Sequence, residues 1–248
     1  MANSKAPPDH RANRLLAALE PDDYAHLEPH LEIIEVSQGR VLYEPGEIVR
    51  HVYFPHDACV SLVNVLEDGA SVEVAMFGRE AAFGFVSELA TGTAFGRYIV
   101  QISGTVSRIN VGRLHEAIDT RPRIRQLIRA FAEALIIQTF QMVTCNAVHS
   151  VEARCCRWIL STHDRLDQDV LPLTHEFLAE MLGVQRSTVS VVTRTLQASG
   201  LITQGRGVIT VTNRAGLERA TCECYGKIRR KFQALLPNTF GKDPVEHP

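Results

Sequence analysis

The period of the hydrophobic positions changes along the chain. The opening RANRLLAALEPDDYAHL (11–27) groups its apolar residues at helical spacing and is interrupted near Pro21, so it predicts a short amphipathic helix. From about Leu31 to Leu114 short β-branched runs take over, with IEVSQGRVLYEPGE, HVYFPHDACVSLVNVLEDGASVEVAMFG and GRYIVQISGTVSRI the clearest. Val72, Val74 and Met76 alternate with Glu73 and Ala75, and Asp68-Gly69 marks a hairpin turn before them. Gly39, Gly46, Gly69, Gly78 and Gly84 punctuate the stretch, which suits a compact antiparallel roll or barrel.

A long helix is predicted next. No glycine occurs between Arg121 and Ser150, and the one proline, Pro122, stands at the start, where a helix tolerates it. Ile124, Ile128, Phe131, Leu135, Gln138, Met142 and Cys145 are separated by alternating steps of four and three, a heptad seam. Such a stripe can pack on its own domain or pair with a second copy. Its length and its place between two domains favour a subunit interface, with Gln138 fixing register. HSVEARCCRWILSTHDR (149–165) continues helically, with Val151, Cys155, Trp158, Ile159 and Thr162 along one side, and LDQDVLP then breaks the pattern.

THEFLAEMLGVQRSTVSVVTRTLQASGLI (174–202) reads as two helices joined at a glycine. Thr174 caps the first, and Gly183 sits at the turn, where a left-handed backbone is needed. Ala179 lies four residues before that glycine, and Leu178, Leu182, Val184, Val189 and Val192 fall where a helix-turn-helix needs apolar contacts. The second helix of such a motif enters the major groove with its N-terminal residues toward base edges. Those residues are Gln185, Arg186, Ser187, Thr188 and Ser190, with Val191 and Arg194 a turn on. Arg186 is the candidate for bidentate reading of guanine, Ser187 and Ser190 suit base or phosphate, and Val191 offers only an apolar contact. Thr174, Thr188 and Arg194 suit phosphate. LITQGRGVITVT then predicts two strands around Gln204-Gly205-Arg206-Gly207, a wing that lifts Arg206 toward a phosphate. Asn213 caps a last helix that runs through Leu217 and Tyr225 to KIRRK (227–231).

Composition adds a charge contrast. Residues 1–149 hold 13 Lys+Arg against 18 Asp+Glu, and residues 150–236 hold 12 against 8, so the C-terminal part is the one suited to a polyanion. No apolar run approaches the ~20 residues of a membrane span, and the polar start lacks a signal-peptide core, so a cytoplasmic protein with no membrane partner is expected. None of Cys59, Cys145, Cys155, Cys156, Cys222 and Cys224 forms a paired C-x-x-C knuckle; no metal site is assigned and reduced thiols are expected. P-loop, nucleophile-elbow and H-E-x-x-H patterns are missing, which argues against an enzyme.

A glycine-punctuated roll, a heptad helix and a winged helix-turn-helix, in that order, resemble the Crp/Fnr family of bacterial transcription regulators. The resemblance spans roughly residues 12–235 and is carried by SVEARCCRWIL, by VQRSTVSVVTRTLQASGLI, and in the first half by VLYEPGE, VYFP and the glycine spacing. It implies an α+β chain: a cyclic-nucleotide-binding-like β-roll with its short N-terminal helix (12–118), a dimerisation helix (119–148) and a winged helix-turn-helix domain (149–236). It implies a homodimer on a palindromic stretch of double-stranded DNA, with RNA polymerase as a candidate partner. The family's recognition helix usually carries a glutamate where Ser187 stands and an arginine where Val191 stands, so an unusual half-site is expected. Its phosphate cassette reads here Gly84-Phe85-Val86, without glutamate, and Ala94-Phe95-Gly96-Arg97-Tyr98, with the arginine displaced, so cyclic AMP binding of the usual kind is not expected. The iron–sulfur branch clusters cysteines near the N-terminus, whereas the first cysteine here is Cys59, and no histidine stands out for haem. No cofactor is assigned. The competing reading is a small-ligand or thiol-redox sensor acting through protein partners, with Cys155-Cys156 or Cys222-Glu223-Cys224 as its switch.

Overall fold

The computed structural model describes residues 9–67, 69, 71–88, 91–166, 168–237 and 239. In chain order its elements are α1 (Arg14–Ala17), α2 (Pro21–Leu27), β1 (Leu31–Val36), β2 (Val41–Tyr43), β3 (His51–Pro55), β4 (Cys59–Val65), β5 (Ser71–Phe77) and α3 (Phe85–Glu88). Then follow β6 (Arg97–Ile102), β7 (Gly104–Asn110), α4 (Val111–Thr120), α5 (Pro122–Val148), α6 (Val151–Leu166) and β8 (Val170–Leu171). The last are α7 (His175–Leu182), α8 (Arg186–Ala198), β9 (Ile202–Gly205), β10 (Val208–Val211), α9 (Arg214–Ala220) and α10 (Cys224–Leu235). The chain divides into two compact units, Met1–Val60 with Phe77–Ala132, and Ser61–Met76 with Glu133–Pro248.

The first unit is the roll. One sheet has the order β1-β7-β3, antiparallel throughout, with Leu31 and Val52 both opposite Ile109. Beside it β2 pairs antiparallel with β6, slipping register between Val41 and Tyr43. Gly104 at the start of β7 is there because a Cβ would come within 2.6 Å of the Ala58 nitrogen and Asp57 Oδ1. Asp57 in turn accepts hydrogen bonds from the Thr105 backbone (2.6 Å) and hydroxyl (2.9 Å). Aromatic rings fill the interior: Tyr53 stacks on Phe83 at 5.1 Å, Phe83 on Tyr98 at 5.3 Å, and Phe77 tilts against Phe83 at 5.5 Å. Gly69 has φ +85°, as the predicted hairpin turn requires, while Asp68 lies outside the described residues.

The predicted N-terminal helix is two short ones. Pro21 has no N–H to donate, and it opens α2 at the first helical position. Asn13 caps α1 through its side-chain oxygen, and its buried amide donates to the carbonyls of Pro55 and Ala81, both at 2.9 Å. Leu15, Leu16 and Leu27 then surround an apolar space with Phe54, Leu114, Ile124 and Ile128.

In the second unit Trp158 on α6 is the largest fully buried side chain. Its indole N–H donates to Glu73 Oε1 (3.0 Å), and the Ser61 hydroxyl donates to Glu73 Oε2 (2.6 Å). Burial pushes the Glu73 carboxyl above its ordinary range. Asp164 on the same helix pairs with Arg229 (2.7 Å) and Arg214 (2.7 Å) and accepts from the Tyr225 hydroxyl (2.9 Å), fastening α9 and α10 to α6. Two features of this unit depart from the predicted elements. LDQDVLP includes β8, a two-residue strand paired with β10 through Leu171 opposite Ile209, too short to leave a periodic signal. The last helix is two, α9 and α10, because Thr221 is extended (φ −77°, ψ 165°) and its hydroxyl donates to the Ala153 carbonyl at 3.3 Å.

The heptad face of α5 lies mostly inside the chain itself. Ile124, Phe131 and Cys145 are at most 1% exposed, Ile128, Gln138 and Met142 are buried, and Leu135 is half-buried. Phe131 packs on Phe85 with ring centroids 5.5 Å apart, and Gln138 and Met142 line a pocket with Trp158, Tyr225 and Ile228. The seam assigned to a second copy is thus occupied by the chain's own core. Ile136, Phe140, Val143 and Val148 lie exposed on the helix, at 53%, 69%, 67% and 68%. By length and composition this 27-residue helix is apolar enough to cross a membrane; polar residues interrupt it, so no continuous apolar run marks it in the sequence.

Candidate DNA-binding interface

Helices α7 and α8 form the motif the spacing predicts. Thr174 caps α7 by accepting from the Phe177 N–H at 3.2 Å. Gly183 ends it in the left-handed region, φ +63°, ψ +42°, and the Val184 N–H then donates to the Ala179 carbonyl at 3.0 Å. Leu178, Ala179, Leu182 and Val189 are buried between the helices, and Val184 and Val192 are half-buried. Ser71, at the start of β5, donates its hydroxyl to Glu180 Oε1 at 2.6 Å and so braces α7 from its far side.

Burying Val189, Thr193 and Leu196 turns the rest of α8 to solvent. Gln185, Arg186, Ser187, Val191 and Arg194 are exposed, Val191 at 60%, and Thr188 and Ser190 are half-buried. Thr174 is half-buried by its capping role. Arg186 is held by an ion pair with Glu176 of α7, Nε to Oε1 at 2.6 Å, with both side chains more than half exposed. An exposed pair contributes little stability, so its effect is on where the guanidinium points. The wing is a three-stranded sheet, β8-β10-β9, whose two-residue turn Arg206-Gly207 is exposed, with Gly207 at φ +74°.

The sequence reading missed His175. Its Nε2–H donates to Gln204 Oε1 in the wing at 2.7 Å, and its Nδ1 lies 3.0 Å from the Ser190 hydroxyl of α8. Gln204 is tied back to Gln197 of α8 by backbone and side-chain bonds to Oε1 (3.0 and 3.2 Å). One imidazole thereby sets the wing against the recognition helix. Its signal in the sequence was only a histidine beside the capping threonine, which is uninformative until β9 is folded onto α8. Glu176 was missed for the same reason.

Of the six cysteines, Cys59 is buried at the start of β4 and the other five fall into two groups. Burial pushes the Cys156 thiol up to about 12 and the Cys155 thiol above the ordinary thiol range, so this pair belongs to the core of α6. Cys145, Cys222 and Cys224 instead converge with His149, their ligating atoms all within 4.8 Å of one another. Cys145 and Cys222 share a hydrogen bond across 3.5 Å, which holds the Cys222 thiol below its ordinary range. None of these is a C-x-x-C knuckle; the four come as two short pairs, Cys145 with His149 and Cys222 with Cys224, from segments far apart in the sequence. In the roll, Arg97 is engaged by Glu44 (2.8 Å), Phe85 is buried and Phe95 is half exposed, an arrangement unlike a phosphate cassette.

Residues 153–220 match the model of the Crp-like helix-turn-helix domain. The chain is 26% identical over 200 residues to the global nitrogen regulator of Synechococcus elongatus, covering 76% of this chain and 89% of that protein. It is 25% identical over 202 residues to the global nitrogen regulator of a Nostoc species, covering 77% and 89%. Among solved structures, FixK2 from Bradyrhizobium japonicum superposes with a TM-score of 0.68 at 17% identity, covering 77% of this chain and 98% of that one. A CRP-family transcriptional regulator from Thermus thermophilus gives 0.62 at 20% identity, covering 75% and 95%. The β-rich first unit, the long helix and the C-terminal motif together are the Crp/Fnr fold. With its recognition helix exposed, its wing in place and its motif matched over 153–220, this chain carries a Crp-like helix-turn-helix DNA-binding domain on a Crp/Fnr fold and is similar over most of its length to transcription regulators of that type.

Proposed function

We propose that the protein acts in the cytoplasm as a homodimer on a two-fold symmetric operator, reading each half-site with α8. The observation that carries this is the exposed face of that helix, on which Arg186 is oriented by Glu176 while Ser187 and Val191 lie uncovered. Arg186 pairs with the O6 and N7 of a guanine, Val191 meets a thymine methyl, and Thr174, Thr188, Arg194 and Arg206 meet phosphates. Gln185 and Ser190 complete the contact, Ser190 being shared with His175.

The second copy pairs along the exposed stripe Ile136, Phe140 and Val143 of α5, rather than along the buried seam. These positions are four and three residues apart, as a helix–helix contact requires. Only one side of the helix is exposed and apolar here; Gln138, Met142 and Cys145 are buried, which favours a partner helix over a bilayer. The effector is not cyclic AMP bound in the usual way: the roll interior is filled by Tyr53, Phe77, Phe83 and Tyr98, and Arg97 is neutralised by Glu44. RNA polymerase is the expected partner of the operator-bound dimer.

Selection of bound sequences from a random DNA pool tests the reading, since it returns half-site and spacing together. The expected result is a palindrome with a guanine whose discrimination vanishes in Arg186→Ala, at a cost of about 1–3 kcal/mol. Unchanged affinity and specificity in that variant would remove Arg186 from the reading role.

A further inference from the structure

Three sulfurs and one imidazole nitrogen meet in the second unit. Cys145 lies near the end of α5, His149 in the short break between α5 and α6, Cys222 between α9 and α10, and Cys224 at the first position of α10. Cys145 Sγ is 3.5 Å from Cys222 Sγ, Cys224 Sγ is 3.5 Å from His149 Nδ1, and no pair among the four exceeds 4.8 Å. A tetrahedral zinc ion, with bonds of about 2.3 Å to sulfur and about 2.0 Å to nitrogen, spaces its ligands by roughly 3.5–3.8 Å. Closing these four atoms onto one ion requires a contraction of about 1 Å at the widest edge. We propose that Cys145, His149, Cys222 and Cys224 form a closed four-ligand site for a single thiophilic divalent ion of the zinc class.

The surroundings are those a metal site needs. His149 Nε2–H donates to the Glu223 carboxylate at 3.1 Å, which leaves the Nδ1 lone pair on the side of the sulfurs. A carboxylate behind a ligating histidine fixes its tautomer and raises its basicity. Gln141 donates an amide N–H to Cys224 Sγ at 3.0 Å. Cys145 and Cys224 are fully buried, Cys222 nearly so, and Ala153 packs against the group. With all four positions supplied by protein, the site is a structural clip rather than a catalytic centre. It joins residues 77 apart in sequence, so the bound ion would fasten the end of the long helix to the start of the last one. An iron–sulfur cluster places its terminal ligands on different irons and needs a wider set than this one.

Cobalt titration of the reduced, full-length protein is the direct test, read in the near-ultraviolet and visible range. We expect one Co²⁺ per chain, the intense visible bands of a tetrahedral ion and thiolate charge-transfer bands. We also expect one zinc per chain after zinc reconstitution, with a higher Tm than the chelated protein. Cys222→Ser and Cys224→Ser should each remove part of the charge-transfer intensity. His149→Ala should weaken Co²⁺ binding at least tenfold, and Glu223→Gln by roughly 10-fold, the usual effect of losing a partner behind the ligand. Cys59→Ser, away from the cluster, should change nothing. An octahedral or sulfur-free cobalt spectrum from the unaltered chain would overturn the proposal, as would a spectrum indifferent to both serine variants. Iron with acid-labile sulfide in protein purified without oxygen would overturn the single-ion assignment. The unaltered chain gives a decisive spectrum whether or not a variant folds, and operator binding is a separate measurement that can fail without it.

Discussion

The recognition helix and the long helix carry the same kind of sequence signal, an apolar face at helical spacing, and the structure treats them differently. In α8 Val189 and Leu196 are buried and Arg186, Ser187 and Arg194 exposed, as the pattern predicts, because the partner helix α7 is fixed three residues away by the turn at Gly183. In α5 the seam Ile124 to Cys145 is apolar for a reason that lies far off in sequence: Leu15, Leu16 and Phe85 in one unit, and Trp158 and Tyr225 in the other. A stripe announces that something will cover it. Only a partner close in sequence says what.

The contrast can be broken at α5 first. Phe131→Ala should cost about 3–5 kcal/mol of folding stability in urea titration, as loss of a fully buried aromatic side chain does. If Phe131 belonged to a subunit seam, that variant would dissociate the dimer and leave the folded chain intact. Phe140→Glu should do the reverse. Sedimentation should show a monomer at concentrations where the parent chain is a dimer, with circular dichroism unchanged, and a dimer that persists would return the seam to the buried face.

At α8 the expected effects are smaller and fall on binding rather than folding. Arg186→Ala carries the loss of about 1–3 kcal/mol already given, confined to one base position. Arg206→Ala, on the wing, should weaken binding evenly across sequences and reduce the slope of log affinity against log salt by about one, as for one phosphate contact. A loss confined to particular sequences would make Arg206 a base reader instead.

A further effect belongs to the roll and is set by pH. Burial lowers His56 to about 4 from the ordinary 6.5, and the ring bonds to Ser107 at 2.7 Å. A histidine with a lowered folded-state pKa binds its proton more readily when unfolded, so between about pH 6.5 and pH 4 stability falls as pH falls. Below about pH 4 both states hold the proton and this contribution stops changing. His56→Gln should flatten that part of the stability–pH curve, and an unchanged slope would place its origin in other groups.

The sequence alone determined the elements whose causes are local. These include the Thr174 cap, the Gly183 turn, the exposed Arg186 face and the tight Arg206-Gly207 wing. Each rests on backbone rules or a partner a few residues away. Tertiary structure alone decided what depends on distant segments meeting. It buried the predicted seam and left Ile136, Phe140 and Val143 exposed; it added β8 to the wing and set His175 between wing and recognition helix. It also split the last helix, so that Cys222 and Cys224 meet Cys145 and His149. Cys145 and Cys222 stand 77 residues apart, so the two short pairs become one ligand set only when their segments meet, because the distance that matters to a metal ion runs through space and not along the chain.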